Sequence, residues 1–254
     1  MKKKSIWAIL CVWLAIGTGL KAQQLLVSPE GLYYIIHQNT IVQYDTTGKL
    51  LFQFSQGGPE SISNADVSDQ MDIILFYKDL QMISVLNQRL ALRAESVYLS
   101  SYSWFSISAV VGAPSVGYWI YDSWNQKLIL LDYHYRAVAT TGWLRLLLKQ
   151  NETPRGIYST LDRVVLHFPS TGILIFNSSG QLADQIPSAE IGNIYLNNNN
   201  LYYTVGNRIW NYNISTKRRS LLPLEMPEGA SEFGVSNGML YTWLGDKVSL
   251  KEIP

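Results

Sequence analysis

A unit of about 40 residues recurs along this chain, and self-similarity at that period restricts the fold to a repeat architecture. The marker is the end of the third strand in each unit: Tyr44-Asp45, Leu86-Asn87, Leu131-Asp132, Phe176-Asn177, Tyr212-Asn213 and a degenerate Leu250-Lys251. Successive endings lie 42, 45, 45, 36 and 38 residues apart. Asp or Asn after an apolar residue is turn chemistry, because these side chains accept hydrogen bonds from backbone two residues on and start a reversal. Two units continue into Thr47-Gly48 and Ser179-Gly180, where glycine tolerates the positive φ that tight hairpins require.

The second strands fall at the same period. They are predicted at 32–36, 73–77, 118–121, 164–168, 201–205 and 239–243, and all are dense in Ile, Leu, Val, Tyr and Trp. They do not alternate apolar with polar, so each is predicted to be buried on both faces. Their β-branched and aromatic content favours strand over helix. First strands precede the turns at Pro29-Glu30-Gly31 and Asn237-Gly238, the latter a strong two-residue hairpin signal.

Six units fit an all-β six-bladed β-propeller of about four antiparallel strands per blade over residues 23–254. Blades packed face to face in a ring supply the double burial that a free two-layer sandwich lacks. The last unit stops after its third strand, so the last blade is expected to be three-stranded or closed by an exchange of strands. Its edge would carry Lys247, Lys251, Glu252 and Pro254, charges and a proline that guard against edge pairing. On this repeat pattern the chain resembles the broad six-bladed propeller group that includes NHL-repeat, TolB-like and lactonase-type propellers. The resemblance concerns architecture.

Residues 1–22 read as a secretory signal peptide: Lys2, Lys3 and Lys4, an apolar run from Ile6 to about Leu20, then Ala22 before Gln23. The run is short for a bilayer span, which needs about 20 apolar residues. The ending Lys-Ala-Gln resembles leaders of exported proteins of Bacteroidota-type Gram-negative bacteria. The expected location is the periplasm or the outside of the cell, with possible attachment to the outer membrane, and with no transmembrane segment after cleavage. Cys11, the single cysteine, lies inside the leader, so the cleaved chain is expected to have no disulfide or thiolate chemistry. Without Lys2, Lys3, Lys4 and Lys21, 16 basic residues stand against 19 acidic ones, which gives nucleic acid no bulk attraction.

In a four-stranded meander the 2–3 turns and the blade-to-blade links share one end of the disc. The longest segments fall there, at about 55–64, 94–107 and 138–156, and binding residues concentrate on loops held by a rigid scaffold. The candidate partner-binding residues are Trp104, Phe105, Trp124 and Trp143, aromatics suited to a protein or carbohydrate contact. The competing reading is that each packs over the blade beneath it. The segment 142–149 is a candidate short helix.

Catalytic signals are weak. His37, His134 and His167 show no metal-ligand spacing and read as core or turn residues, and no nucleophile elbow or phosphate-cradling glycine loop is present. No catalytic residue and no cofactor is expected. The lactonase-type resemblance implies one alternative, a divalent cation held in the central channel by oxygen ligands. Asn64, Asp66, Glu190 and Glu232, near the first strands, are the residues that would serve. Val27, Val110, Ile157 and Val235 instead predict a mostly apolar channel. The functional expectation is an exported, non-enzymatic propeller that binds another envelope or extracellular protein. The alternative is a small-molecule or glycan-binding propeller, with or without metal-dependent hydrolysis of the lactonase type.

Overall fold

The computed structural model describes residues 24–149, 151–245 and 247–254. The leader and its cleavage point lie outside the described residues. Blade 1 is β1 (Gln24–Val27), β2 (Tyr33–His37), β3 (Thr40–Tyr44) and β4 (Leu50–Ser55). Blade 2 is β5 (Asn64–Asp66), β6 (Ile73–Tyr77), β7 (Met82–Leu86) and β8 (Val97–Tyr98). Blade 3 is β9 (Ile107–Ala113), β10 (Gly117–Asp122), β11 (Lys127–Asp132) and β12 (Ala137–Thr140). Blade 4 is β13 (Gly156–Ser159), β14 (Arg163–Phe168), β15 (Gly172–Asn177) and β16 (Leu182–Pro187). Blade 5 is β17 (Ile191–Asn197), β18 (Asn200–Val205), β19 (Arg208–Asn213) and β20 (Arg218–Glu225). Blade 6 is β21 (Ala230–Ser236), β22 (Met239–Leu244) and β23 (Lys247–Glu252). Five antiparallel meanders of four strands and one of three make a six-bladed propeller. The expected short helix is a single 3-10 turn, Leu144–Leu146, matched by another at Leu99–Tyr102. No helix among the described residues is long and apolar enough to cross a membrane.

The turn chemistry works as the sequence implies. Asp45 Oδ1 accepts from the backbone N–H of Thr47 and Lys49, Asn87 from Arg89 and Ala91, Asp132 from His134 and Arg136, and Asn177 from Ser179 and Gln181. Each side chain thus holds donors at i+2 and i+4. The hydrogen bond from the Thr47 hydroxyl and the Lys49 N–H also hold the Asp45 carboxyl below its ordinary range. Asn213 departs from this pattern and accepts from Thr216 N at 2.9 Å.

The apolar cores lie between blades. Tyr34, Ile36 and Ile41 of blade 1 pack with Ile73, Leu75 and Tyr77 of blade 2, and Phe76, Ile74 and Ile83 of blade 2 pack with Val110, Ile120 and Ile129 of blade 3. All five residues of β6 are buried because alternate side chains enter different interfaces. Full burial of such a side chain stabilises by about 1.5–3 kcal/mol, which explains why the second strands carry no polar alternation.

The ring closes between blades 6 and 1 without strand exchange. Ser236 Oγ donates to Pro29 O (2.8 Å) and Tyr241 Oη to Gly31 O (3.0 Å), and Tyr195 of blade 5 reaches past Gly234 to donate from its Oη to Val27 O (2.9 Å). Leu25 and Val27 pack with Phe233 and Val235 in one core. β23 is left as the free edge of the three-stranded blade, with Lys247, Lys251 and Glu252 exposed along it.

Candidate functional site: a rim of aromatics and an axial channel

The first strands are innermost: β21 touches β1 and β17, β13 touches β17 and β9, and β9 touches β5. They enclose a channel of about 520 Å³. Its lining is mixed, which corrects the mostly apolar channel read from the first strands. Val27 and Ile157 do line it, but beside Asn64, Asp66, Tyr158, Asn193 and Glu232. The physical reason is that an innermost strand has an unpaired edge, whose N–H and C=O groups need partners. Side chains from neighbouring blades supply them. Asn64 Oδ1 accepts from Val110 N (2.8 Å) and Asp66 Oδ2 from Gly112 N (2.9 Å). Asn197 Nδ2 donates to Val235 O (3.0 Å), and Asn193 Nδ2 donates to Ser231 O.

Of the four oxygen-bearing residues considered for a cation, Asn64, Asp66 and Glu232 line the channel, whereas Glu190 sits exposed in the turn before β17 and outside the lining. Asn64 and Asp66 are engaged in joining blade 2 to blade 3. Among the described residues no group of three or more His, Cys, Asp or Glu gathers as a metal site would require.

One part of the channel wall has unusual electrostatics. Burial pushes the Glu232 carboxyl up to about 7, against the downward pull of Arg155. Burial pushes the His167 imidazole down to about 4, and Arg155 pushes it the same way. His167 is buried and its Nε2 has no hydrogen-bond partner. Burial also raises the Tyr158 hydroxyl, with Glu232 adding to the rise. Tyr158 folds back over its own strand: a Cβ on Gly156 would stand 2.6 Å from Tyr158 Oη.

These shifts give opposed pH slopes. Folded Glu232 holds a proton between about 4.5 and about 7 that the unfolded chain has released, so its contribution to stability is full below 4.5 and is lost as pH rises through 7. Folded His167 lacks a proton that the unfolded chain holds between about 4 and 6.5, so its contribution grows with pH across that window. Glu232→Gln is therefore expected to steepen the rise of urea stability between about pH 4.5 and 6.5, since the cancelling slope is gone. Side-chain NMR titration of the folded protein should place Glu232 near 7, and Arg155→Met should move it higher. A Glu232 midpoint near 4.5 in the folded protein would remove the claim that burial controls it.

The aromatic candidates divide. Trp104 is half-buried in the core between blades 2 and 3, and its Nε1 donates to Tyr135 O at 3.1 Å. It packs down, as the competing reading held. Phe105, Trp124 and Trp143 are 70%, 84% and 64% exposed. They belong to three adjoining segments at one end of blade 3. Asp122, buried at the end of β10, accepts from Ser106 Oγ (2.6 Å), Trp124 N (3.0 Å) and Asn125 Nδ2 (2.7 Å). Burial alone would raise its carboxyl, but the hydrogen bonds from Asn125 and Ser106 hold it below the ordinary range. Ser123 N donates to Ser106 O (2.9 Å), so the backbone beside Phe105 is tied to the turn that carries Trp124. On the other flank Leu144 N donates to Gln126 O (2.9 Å), and the buried Leu144 side chain pins the turn after Trp143. Leu146, 87% exposed, follows, with Arg145 and Lys149 exposed on the same segment. Sequence reasoning missed Leu146, whose exposure follows from the 3-10 turn that buries Leu144.

No family model matches this chain, and no curated protein does. Solved structures do resemble it. A selenomethionine-substituted virginiamycin B lyase from Staphylococcus aureus superposes with a TM-score of 0.60 at 12% identity, over 92% of this chain and 85% of that one. A streptogramin B lyase structure gives 0.61 at 14% identity, over 95% and 85%. The Neurospora crassa Pan2 WD40 domain gives 0.58 at 8% identity, over 91% and 78%. At such identities the likeness is one of fold: this chain is similar to propellers that include lyases and to a WD40 domain, and it shares their architecture.

Proposed function

We propose that this protein is an exported, non-enzymatic propeller that holds another envelope or extracellular protein against the end of blade 3. The observation that supports this reading is the cluster of Phe105, Trp124, Trp143 and Leu146, four large apolar side chains exposed on adjoining, internally braced segments. Aromatic residues and Arg dominate the energetics of protein interfaces, and single exposed apolar residues, unlike a group, need no explanation. Arg145 and Lys149 beside them favour a partner with an apolar patch and acidic rim. The lysine-rich leader supports export.

The test is crosslinking and pull-down from native cell envelopes with wild type and with Trp124→Ser/Trp143→Ser. The double variant is expected to lose the co-purified protein while its melting temperature stays within about 4 °C, because exposed substitutions rarely move stability by more than about 0.5 kcal/mol each and 1 kcal/mol is about 2–4 °C at this size. Retention of the same partner by the double variant would refute the reading. A large loss of stability would identify the two residues as structural.

A second reading, a small-molecule or glycan site, draws on Glu232, Arg155, Tyr158 and the unpartnered His167 Nε2 in the channel wall. Groups with perturbed protonation gathered in a cleft are candidates for ligand contact. Reproducible hits on a glycan array, abolished by Glu232→Gln and unaffected by Trp124→Ser, would favour it over the first.

A further inference from the structure

A second cavity, of about 460 Å³, opens between blades 2 and 3 at the other end of the strands from Trp124. Its cause is the irregular outer strand of blade 2. Leu92 bridges Leu86, Arg93 N donates to Val85 O, and regular pairing resumes only at Val97 opposite Ile83. Three residues, Ala94, Glu95 and Ser96, lie between and face the single residue Ser84; Ser96 Oγ meets Ser84 Oγ at 2.7 Å, and the two extra residues, Ala94 and Glu95, are exposed as a bulge. Beside this bulge Val85 is only half-buried, and it forms an apolar floor to the crevice with Ile74 and Ile83, which lie at its base where blade 2 packs on blade 3.

The opposite wall is aromatic. Tyr118 and Tyr135 stack in parallel with centroids 5.5 Å apart and 3° between planes, and Tyr133 meets Tyr118 edge-on at 6.1 Å. The rim is acidic. Asp69, Asp72 and Glu95 face a single cation, Arg93, a balance of −2, and Asp66, whose carboxyl burial pushes up, lies beside them with Oδ2 accepting from Gly112 N. Arg93 is spent on Asp72, with which it forms an ion pair, and on Met71 O at 3.1 Å. Gly112 and Gly117 add no side chain to the wall, and Gly117 cannot acquire one, since its Cβ would meet the Leu131 carbonyl.

We propose that this crevice binds a small organic cation, an ammonium group on an apolar stem, with the stem on the Ile74, Ile83 and Val85 floor and the charge between the tyrosine rings and the acidic rim. Ring faces attract a cation through their quadrupole. The volume suits a small ligand. The rim selects the sign, because an anion would meet net negative charge at the entrance.

The experiment titrates the purified protein with hexyltrimethylammonium, hexanol and hexanoate, and reads affinity by calorimetry and location by the methyl NMR signals of Ile74, Ile83 and Val85. The cation is expected to shift those methyls and to bind at least about tenfold more tightly than hexanol, a difference of about 1.4 kcal/mol. Hexanoate should give no saturable binding. Tyr133→Ala and Asp69→Asn together should weaken the cation about tenfold with an unchanged melting temperature. Tyr133 is exposed, and Asn at 69 keeps the acceptor that Met71 N uses. Nα-acetyl-lysine methylamide, run as a further arm, separates the two sources of such a group. Binding as tight as that of hexyltrimethylammonium points to a lysine side chain, and weaker binding to a free small molecule. Equal affinity for hexanol and the cation, binding of hexanoate, or indifference to the double variant would each overturn the proposal.

Discussion

Gly172→Ala is expected to destabilise the protein by at least about 3 kcal/mol, the largest effect of any single methyl group considered. Gly172 opens β15 at φ +101°, a conformation L side chains rarely adopt, and it lies between two paired strands. A Cβ there would stand 2.6 Å from Ser188 N and still nearer the Ile186 carbonyl. Both neighbours are backbone and belong to or follow β16, so neither can rotate away. Strain in φ costs about 1–3 kcal/mol, and displacement of the ladder adds to it. For a domain of this size 1 kcal/mol moves the midpoint by about 2–4 °C, so a fall of roughly 6–12 °C is expected. Gly57→Ala is the control, because its Cβ would meet nothing within 4 Å. Thermal melts of the two variants decide the matter: a Gly172→Ala midpoint within 2 °C of wild type would show that β15 and β16 can separate at no cost.

Gly234→Ala should destabilise by about 1–3 kcal/mol, as overpacking typically does. Gly234 in β21 faces β1 across the join between blades 6 and 1, and an added Cβ would lie 2.5 Å from Val27 Cγ2 and 2.9 Å from Val27 Cβ. Val27 is buried and β-branched, so it has few rotamers in which to retreat. The nearest atom is Val27 Cγ2, so its removal relieves the tighter of the two contacts. In a Val27→Ala background the same glycine change should cost clearly less, and the double-mutant cycle should give a coupling of about 1 kcal/mol or more. Additive losses would mean that the two strands are not in the contact described.

Much of the architecture could be read from the chain because its determinants are local. Asp45, Asn87, Asp132 and Asn177 each organise their own hairpin through acceptors two and four residues away, so their spacing marks the blades directly. The doubly apolar strand Ile73–Tyr77 likewise announces two neighbours. What depends on the relation between blades left little trace. Trp104 and Trp124 are both aromatics in loops, and only the donation from Trp104 to Tyr135 O separates the packed one from the exposed one. Asn64 and Asp66 look like ligands in sequence, yet their acceptor atoms meet the N–H groups of Val110 and Gly112, which lie 46 residues on. The crevice beside Tyr118 arises from a lapse in pairing at Ala94 and Glu95, a matter of register that composition does not record.

Five of the six junctions in this disc are spanned by a continuous peptide segment. The sixth depends on Ser236, Tyr241 and the Val27–Gly234 approach, with Tyr195 of blade 5 reaching across to Val27 O. In a circle the angular misfit of every sector accumulates where the circumference is completed. That seam is the keystone: no peptide bond limits its opening, so side-chain contacts alone hold the circle shut.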